Sequence, residues 1–394
     1  MKIRFLALPL LLSACAALPA PNQPLSTAPG VAVWDGGQVA AKDAPITLAT
    51  ESPRARQVLA KQDFGYDIRY VAQILPVTVN GRAVQANAVT ISGDRAYVAY
   101  NTAGEAASGA IQIVDIADGA HPRVLKEIRL DDMEVDSLYL DAGTLYFGGN
   151  ANPDKYHFHA FIGKLDPNNV DAATILASVR GLRSYVTTAI ARSGGKLVAA
   201  VGAKDGGLEI LNDLLAETSF LPRGDVRDLV PIKKGVAGVA GSTDTPGAAP
   251  AMFTSDLVTI TESKLPGAPG DYAKATIEVP DDKLAFLGLS GQGLRVVDLD
   301  QPTQSVFTLA NPSSSGVATT NAVSTDNDLA FVANGEYGFR VLALGKAKDP
   351  VFATVAGYHQ LTGTLYDNQQ LSVNYLKFKG QFLFAAVGAG GVNV

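Results

Sequence analysis

Asn87-Ala-Val-Thr-Ile-Ser-Gly-Asp-Arg-Ala-Tyr-Val-Ala-Tyr100, then Ala110-Ile-Gln-Ile-Val-Asp-Ile116, then His121-Pro122-Arg-Val-Leu-Lys-Glu-Ile128, is the stretch on which the fold turns. Ala88 to Ile91 is strand-like and leads through a Ser92-Gly93-Asp94 turn into Ala96 to Tyr100. A polar, glycine-containing loop precedes the third run, and His121-Pro122 turns the chain into Arg123 to Ile128. Short β-branched and aromatic runs punctuated by Gly, Pro, Asp and Ser predict four short strands in a meander.

The turn and second strand of this unit recur along the chain. They return as Ala142-Gly-Thr-Leu-Tyr-Phe147, Gly194-Gly-Lys-Leu-Val-Ala199 and Lys234-Gly-Val-Ala-Gly-Val239, and again as Asp282-Lys-Leu-Ala-Phe286, Asn327-Asp-Leu-Ala-Phe331 and Gly380-Gln-Phe-Leu-Phe384. With the first unit that makes seven, at a spacing of roughly 40–55 residues, which is the period of propeller blades. The expected fold is therefore all-β, a β-propeller of seven blades of four antiparallel strands. The seventh unit reaches only a third strand at Gly391-Val-Asn-Val394. The run Tyr66 to Leu75, just ahead of the first unit, is the natural donor of the missing outer strand. Closure by this N-terminal strand would remove an exposed edge. Residues 31–394 are thus expected to form a single domain, with a short helix at Ser52 to Lys61.

The third strands carry a resemblance. Ile111-Gln-Ile-Val-Asp115 with Pro122 and Leu294-Arg-Val-Val-Asp298 with Pro302 resemble the LVIVD repeat of bacterial and archaeal surface-associated propellers. Phe339-Arg-Val-Leu-Ala343 with Pro350 keeps the apolar pattern without the aspartate. Ala160 to Asp166 and Gly207 to Asn212 are weaker copies. The likeness covers residues 85–394 unevenly and is poorest in the fourth unit.

The amino terminus reads as an address. Met1-Lys-Ile-Arg4 is positive, Phe5 to Leu12 is apolar, and Ser13-Ala14-Cys15 closes the segment. This is the layout of a secretory signal, too short for the roughly 20 residues of a membrane span. Leu12-Ser13-Ala14-Cys15 resembles the bacterial lipobox, which implies a signal peptide over residues 1–14 and lipidation of Cys15. Cys15 is the chain's one cysteine, so no disulfide can hold the domain. Residues 15–30, rich in Pro and Ala, read as a semi-rigid tether. The resemblance implies a lipid-anchored protein of the bacterial cell envelope, and Ala16 after the cysteine points to the outer membrane.

Composition narrows the partners. The net charge is −6, and Lys and Arg are scattered, which argues against nucleic acid. Apolar residues make up 47%, enough for a sizeable core. Asp115 and Asp298 read as caps of the turns leaving the third strands. His157-Phe158-His159 would place two imidazoles on one face of a strand. With Asp132 and Glu134 these are the metal candidates, and Ca²⁺ or another divalent ion at the propeller mouth is the open alternative to no cofactor. The run Asp131-Asp-Met-Glu-Val-Asp136 is otherwise a solvated connection between units, and its spacing is not that of an EF-hand. Asp326-Asn327-Asp328 reads as a turn, and Arg223-Gly224-Asp225 as an adhesion tripeptide arising by chance. No serine-hydrolase elbow or phosphate loop occurs. Trp34, the one tryptophan, lies outside the repeats, unlike the blade tryptophans of quinone-dependent propellers.

These observations favour a monomeric, non-enzymatic binding or scaffolding module for an envelope protein or glycan. The alternative is a propeller hydrolase or lactonase using carboxylates and a metal at the channel mouth. Acidic and histidine side chains converging there from three or more blades would mark it.

Overall fold

The computed structural model describes residues 24–46, 68–102, 107–241, 251–265, 274–312, 319–326, 329–344, 354–359, 364–365 and 369–394. Cys15, most of its tether, the Ser52–Lys61 segment and Asn327-Asp328 lie outside them.

The seven repeats are seven blades of antiparallel strands. Blade 1 runs through Gln85–Ser92, Arg95–Asn101, Gly109–Asp115 and Arg123–Leu130. Blade 2 follows at Ser137–Asp141, Thr144–Asn150, Ala160–Leu165 and the short Arg180–Gly181. Blades 3 to 6 begin at Val186, Val226, Thr276 and Ala322 and have four strands each. Blade 7 contributes Tyr375–Lys379, Phe382–Ala386 and Val392–Asn393. Each turn-plus-strand repeat of the sequence is the second strand of a blade.

These second strands are apolar throughout rather than alternating, and Ala96 to Tyr100 is buried on both faces. Each blade packs between two others, so its middle strands have no solvent side. The core is correspondingly divided into seven apolar layers, one at each junction. Ile111, Phe147 and Phe161 fill the layer between blades 1 and 2. Leu287, Val239 and Met252 fill that between blades 4 and 5, and Val89, Phe384 and Ile74 fill that between blades 7 and 1. The outer strand of blade 3, Glu217–Pro222, is largely exposed.

The ring closes as the sequence leads one to expect. Arg69–Ile74 is the outer strand of blade 7, with Val392 opposite Ile74 and Asn393 opposite Gln73. Gly391 enters this pairing at φ +74, and a Cβ there would come within 2.1 Å of the Ile74 carbonyl oxygen. That combination of left-handed backbone and close approach leaves room for glycine alone.

The segment ahead of the closing strand departs from expectation. Val39–Pro45 adds a fifth strand to blade 7. Val31–Asp35 and Ser26–Ala28 instead extend blade 1 outward, Val31–Asp35 pairing with Lys126–Leu130. Part of the tether inferred from composition is therefore strand. Gly30, at φ +76, makes the turn between those two strands, and Ala172, in the helix α1 (Ala172–Ser178), donates its N–H to Ser26 Oγ at 2.9 Å. Trp34 lies on the extra strand, its ring 4.4 Å from the Arg129 guanidinium carbon. The chain leaving residue 24 toward Cys15 thus departs from blade 1, not from the last-closed blade. In blade 4, where the repeat was least legible, the third strand is Ala251–Ser255.

Candidate functional site

The inner strands hold the ring together by more than apolar packing. Asn87 Nδ2 donates to the Val135 carbonyl at the entry to blade 2 at 3.1 Å. The Ser137 hydroxyl reaches the Thr187 carbonyl at 3.4 Å, and Thr188 that of Val226 at 2.9 Å. Asp228 accepts the Ile277 N–H at 2.9 Å, and Thr276 donates to the Asn321 carbonyl at 3.0 Å. Asn321 Nδ2 reaches the Val373 carbonyl at 3.0 Å, and Asn374 Nδ2 the Ala86 carbonyl at 3.1 Å. Every junction between blades is stitched by a side-chain-to-backbone hydrogen bond. In blades 1, 3 and 4 a register shift between the first two strands falls at Asn87, Thr188 and Arg227, where a bulge re-aims side chains.

Charges fill the axis inside this stitching. Lys274, at the head of blade 5, crosses the ring and donates from Nζ to the Asn87 carbonyl of blade 1 at 3.0 Å. Its ammonium interacts with Asp136 of blade 2 and Asp228 of blade 4 and lies 5.8 Å from the centre of the Tyr375 ring of blade 7. Asp136 accepts from Asn87 Nδ2 and Asn101 Nδ2 at 3.1 and 2.8 Å. Asp228 accepts from the N–H groups of Leu229 and Ile277 at 2.8 and 2.9 Å. Further along, Lys377 Nζ lies 3.4 Å from Glu278 Oε2, while Glu278 Oε1 accepts the N–H and hydroxyl of Thr325.

Each of the three central groups is only partly exposed and is surrounded by protein. That enclosure penalises charge. Burial pushes the Asp136 carboxyl up to about 6 and that of Asp228 to about 7, against the lowering effect of their hydrogen bonds and of Lys274. Burial brings Lys274 down to about 8, although both aspartates favour its charged form. A desolvated lysine is what amine catalysis uses. Here Nζ is committed to a carbonyl and flanked by two carboxylates, and it serves as a strut across the axis.

A cleft of about 640 Å³ opens at the junction of blades 1 and 2. It lies on the face that carries the connections between blades and those between second and third strands. Its walls include Arg82, from the Thr78–Ala83 hairpin, with Asp131, Asn152, Asp154, His159 and Tyr185. Asn150 Nδ2 donates to the Tyr185 carbonyl at 3.1 Å, and the Tyr185 ring lies 4.8 Å from that of His159. Tyr185 is 54% exposed and is the one large aromatic side chain so exposed among the described residues.

The residues singled out in the sequence fall in different places. The sequence puts His157 and His159 together on one strand, and the structure does not. Pro153–Tyr156 is a helical turn that His157 ends in the left-handed region at φ 63, and the strand begins only at Ala160. Asp132 is paired with Lys155 at 2.6 Å. Glu134 turns inward and accepts from the Thr102 N–H at 3.2 Å and from its hydroxyl at 2.5 Å, and burial pushes its carboxyl up to about 7. These four do not gather round a metal, and among the described residues no three His, Cys, Asp or Glu side chains do. The 131–136 run is only half solvated, because Glu134 and Asp136 point into the ring. Asp115 and Asp298 cap their turns as expected, accepting from the N–H groups of Ala117 and Asp300 at 3.0 and 2.9 Å. Arg223 pairs with Glu262 at 2.6 Å, and Asp225 with Arg227, so the tripeptide is tied into blade 4's surroundings.

Sequence reading missed the axial cluster and the cleft. One signal was present, the asparagine opening an inner strand in Asn87-Ala-Val89, Asn321-Ala-Val323 and Asn374-Tyr-Leu376. Lys274 and Tyr185 sit in segments with no periodicity to mark them.

No protein-family model and no curated protein sequence matches the chain. Solved structures do match in shape. U3-55K is 12% identical with a TM-score of 0.56, over 79% of this chain and 90% of that one. The WD40 repeats of RRP9 give 0.55 at 12% identity, over 79% and 89%. The WD40 β-propeller domain of Doa1 gives 0.50 at 12%, over 82% and 95%. At that identity the likeness speaks for the propeller fold alone.

Proposed function

We propose that this chain is a lipid-anchored lipoprotein of the bacterial envelope, of the LVIVD-repeat kind, whose propeller acts as a monomeric, non-enzymatic binding module. The cleft between blades 1 and 2 is the docking place. The observation that carries this reading is the contrast between axis and cleft. The axial charges are spent on one another and on neighbouring blades, whereas the cleft is open and bears the side chains of Arg82, Asp131 and Asp154, which have no hydrogen-bond or ion-pair partner among the described residues. A propeller by itself does not dictate activity, so the argument rests on this site.

The anchor and the cleft belong to the same sector. Gly30 accepts the Asp131 N–H at 2.9 Å beside the cleft. The nine steps from Cys15 to Pro24 span at most about 30 Å. A lipid on Cys15 would therefore hold blade 1 and the cleft close to a membrane surface, which on the sequence evidence is the outer membrane.

The test is capture from intact envelopes by the full chain, compared with Cys15→Ala and with a cleft double variant, Arg82→Ala with Asp131→Ala. The expected result is that Cys15→Ala loses acylation and membrane association, and that the double variant loses its captured species while remaining anchored. A Cys15→Ala form that stays acylated, or a double variant that captures as before, sinks the proposal.

A further inference from the structure

Resting on that reading, the chemistry of the cleft narrows what it takes, and we infer that it binds a neutral saccharide, with one pyranose ring laid on the exposed face of Tyr185 and hydroxyls held by Arg82, Asp131 and Asp154. Size comes first. About 640 Å³ is within the roughly 300–1,000 Å³ of small-ligand sites, whereas a protein partner needs a broad, shallow surface.

The lining then decides the class. The lining mixes Val79, Ala107, Ala151 and Pro153 with carboxylates, amides and a guanidinium, and a wholly apolar ligand would leave those polar groups without partners. An anion would meet Asp131, Asp132 and Asp154. A polycation would have to displace Lys155 from Asp132, and would face Arg82 across the opening. The side chains of Arg82, Asp131 and Asp154 make no hydrogen bond or ion pair among the described residues, so their donors and acceptors are available to hydroxyl groups, which both donate and accept.

Tyr185 supplies the remaining element. Tyr185 is 54% exposed and lines the cleft, so part of its aromatic surface is open to a ligand there. The backbone of Tyr185 is pinned by Asn150, and its ring lies against His159, so the face is held ready rather than swinging free. Rigid tyrosine contributes contact area at little conformational cost. The C–H face of a pyranose fits such a ring, with its equatorial hydroxyls turned toward the walls.

The experiment uses the full chain in detergent micelles, titrated by calorimetry with triacetylchitotriose, maltotriose and trilysine. The expected result is that at least one trisaccharide binds with a Kd below about 1 mM while trilysine does not. Tyr185→Ala should weaken that binding at least about tenfold, and the isosteric Asp131→Asn should weaken it severalfold, since it loses one acceptor site. Thermal unfolding of each variant checks that the fold is kept, and Asp131→Asn serves if Tyr185→Ala fails to fold. Preferential binding of trilysine, no binding of either trisaccharide, or sugar binding indifferent to both substitutions overturns the inference. If the sugars fail while the Arg82→Ala, Asp131→Ala form still loses envelope capture, the saccharide class falls and the binding reading stands. If capture is unchanged too, both fall.

Discussion

Replacing Lys274 by Met keeps the length of the side chain and removes the ammonium that acts on both Asp136 and Asp228. Both aspartates have folded pKa values above their ordinary 3.8, about 6 and about 7. A raised carboxyl pKa means that the folded state holds its proton more tightly than the unfolded chain. Stability from such a group is full below pH 3.8 and is lost as pH rises through the folded value. At pH 5 both carboxyls are largely protonated in the folded protein, and the methionine leaves no charge without a counter-ion. Lys274, by contrast, has a lowered pKa of about 8, so its charged form costs the wild type some stability at every pH below that. At pH 5 the variant should therefore match or exceed the wild type. At pH 7.5 the two carboxyls are largely ionised in the wild type, and the variant lacks the attraction that Lys274 supplies to them, so the substitution is less favourable at pH 7.5 than at pH 5. Together the two attractions are worth about 1–3 kcal/mol, one pKa unit being about 1.4 kcal/mol, and this is the expected difference between the effects at the two pH values. Urea unfolding followed by far-ultraviolet circular dichroism reads this as a shift of the variant's midpoint, relative to the wild type, that is more negative by about half a molar or more at pH 7.5 than at pH 5. Equal losses at the two pH values would mean that Lys274 matters only as packing, and would refute the electrostatic account of the axis.

Gly391→Ala places a Cβ against the Ile74 carbonyl in a left-handed backbone and should cost about 1–3 kcal/mol. Hydrogen exchange should speed up at Ile74 and Gln73 before it does in blades 3 to 5, and uniform acceleration would argue against a local closure defect. Asn87→Ala removes the stitch to Val135 and a donor to Asp136 and should cost about 1–3 kcal/mol in chemical denaturation; a change within about 0.5 kcal/mol would show the stitch to be dispensable. Glu134→Gln keeps an oxygen for both Thr102 donors and removes a carboxyl whose pKa burial has raised to about 7. Its stabilising effect should be about 1–2 kcal/mol at pH 8, where the native glutamate is ionised, should shrink as pH falls through 7, and should vanish at pH 4. A gain of the same size at both pH values would contradict the assignment.

The sequence alone was sufficient for the ring. Seven turn-and-strand repeats at a blade's period, and an outer strand missing from the last unit, led to seven blades and to Arg69–Ile74 as the closing strand. Such repeats are local: each strand's apolar run and each turn's small or polar residues follow from its own few residues, so they can be read without knowing what packs on them. The caps at Asp115 and Asp298 were legible for the same reason, since their partners lie two residues away. What only the tertiary structure decided is long-range. Lys274 meets Asn87 across 187 positions, and nothing in the stretch around either residue announces it. The 131–136 run looked solvated because charge usually seeks water, but closing the ring turns Asp136 toward an axis where its counter-charge arrives from another blade. The cleft likewise forms only when the Thr78–Ala83 hairpin, the 131–136 connection and the loop carrying Tyr185 are brought side by side. Local periodicity is written in the order of the residues, while convergence of distant side chains depends on the angle through which seven blades turn to meet.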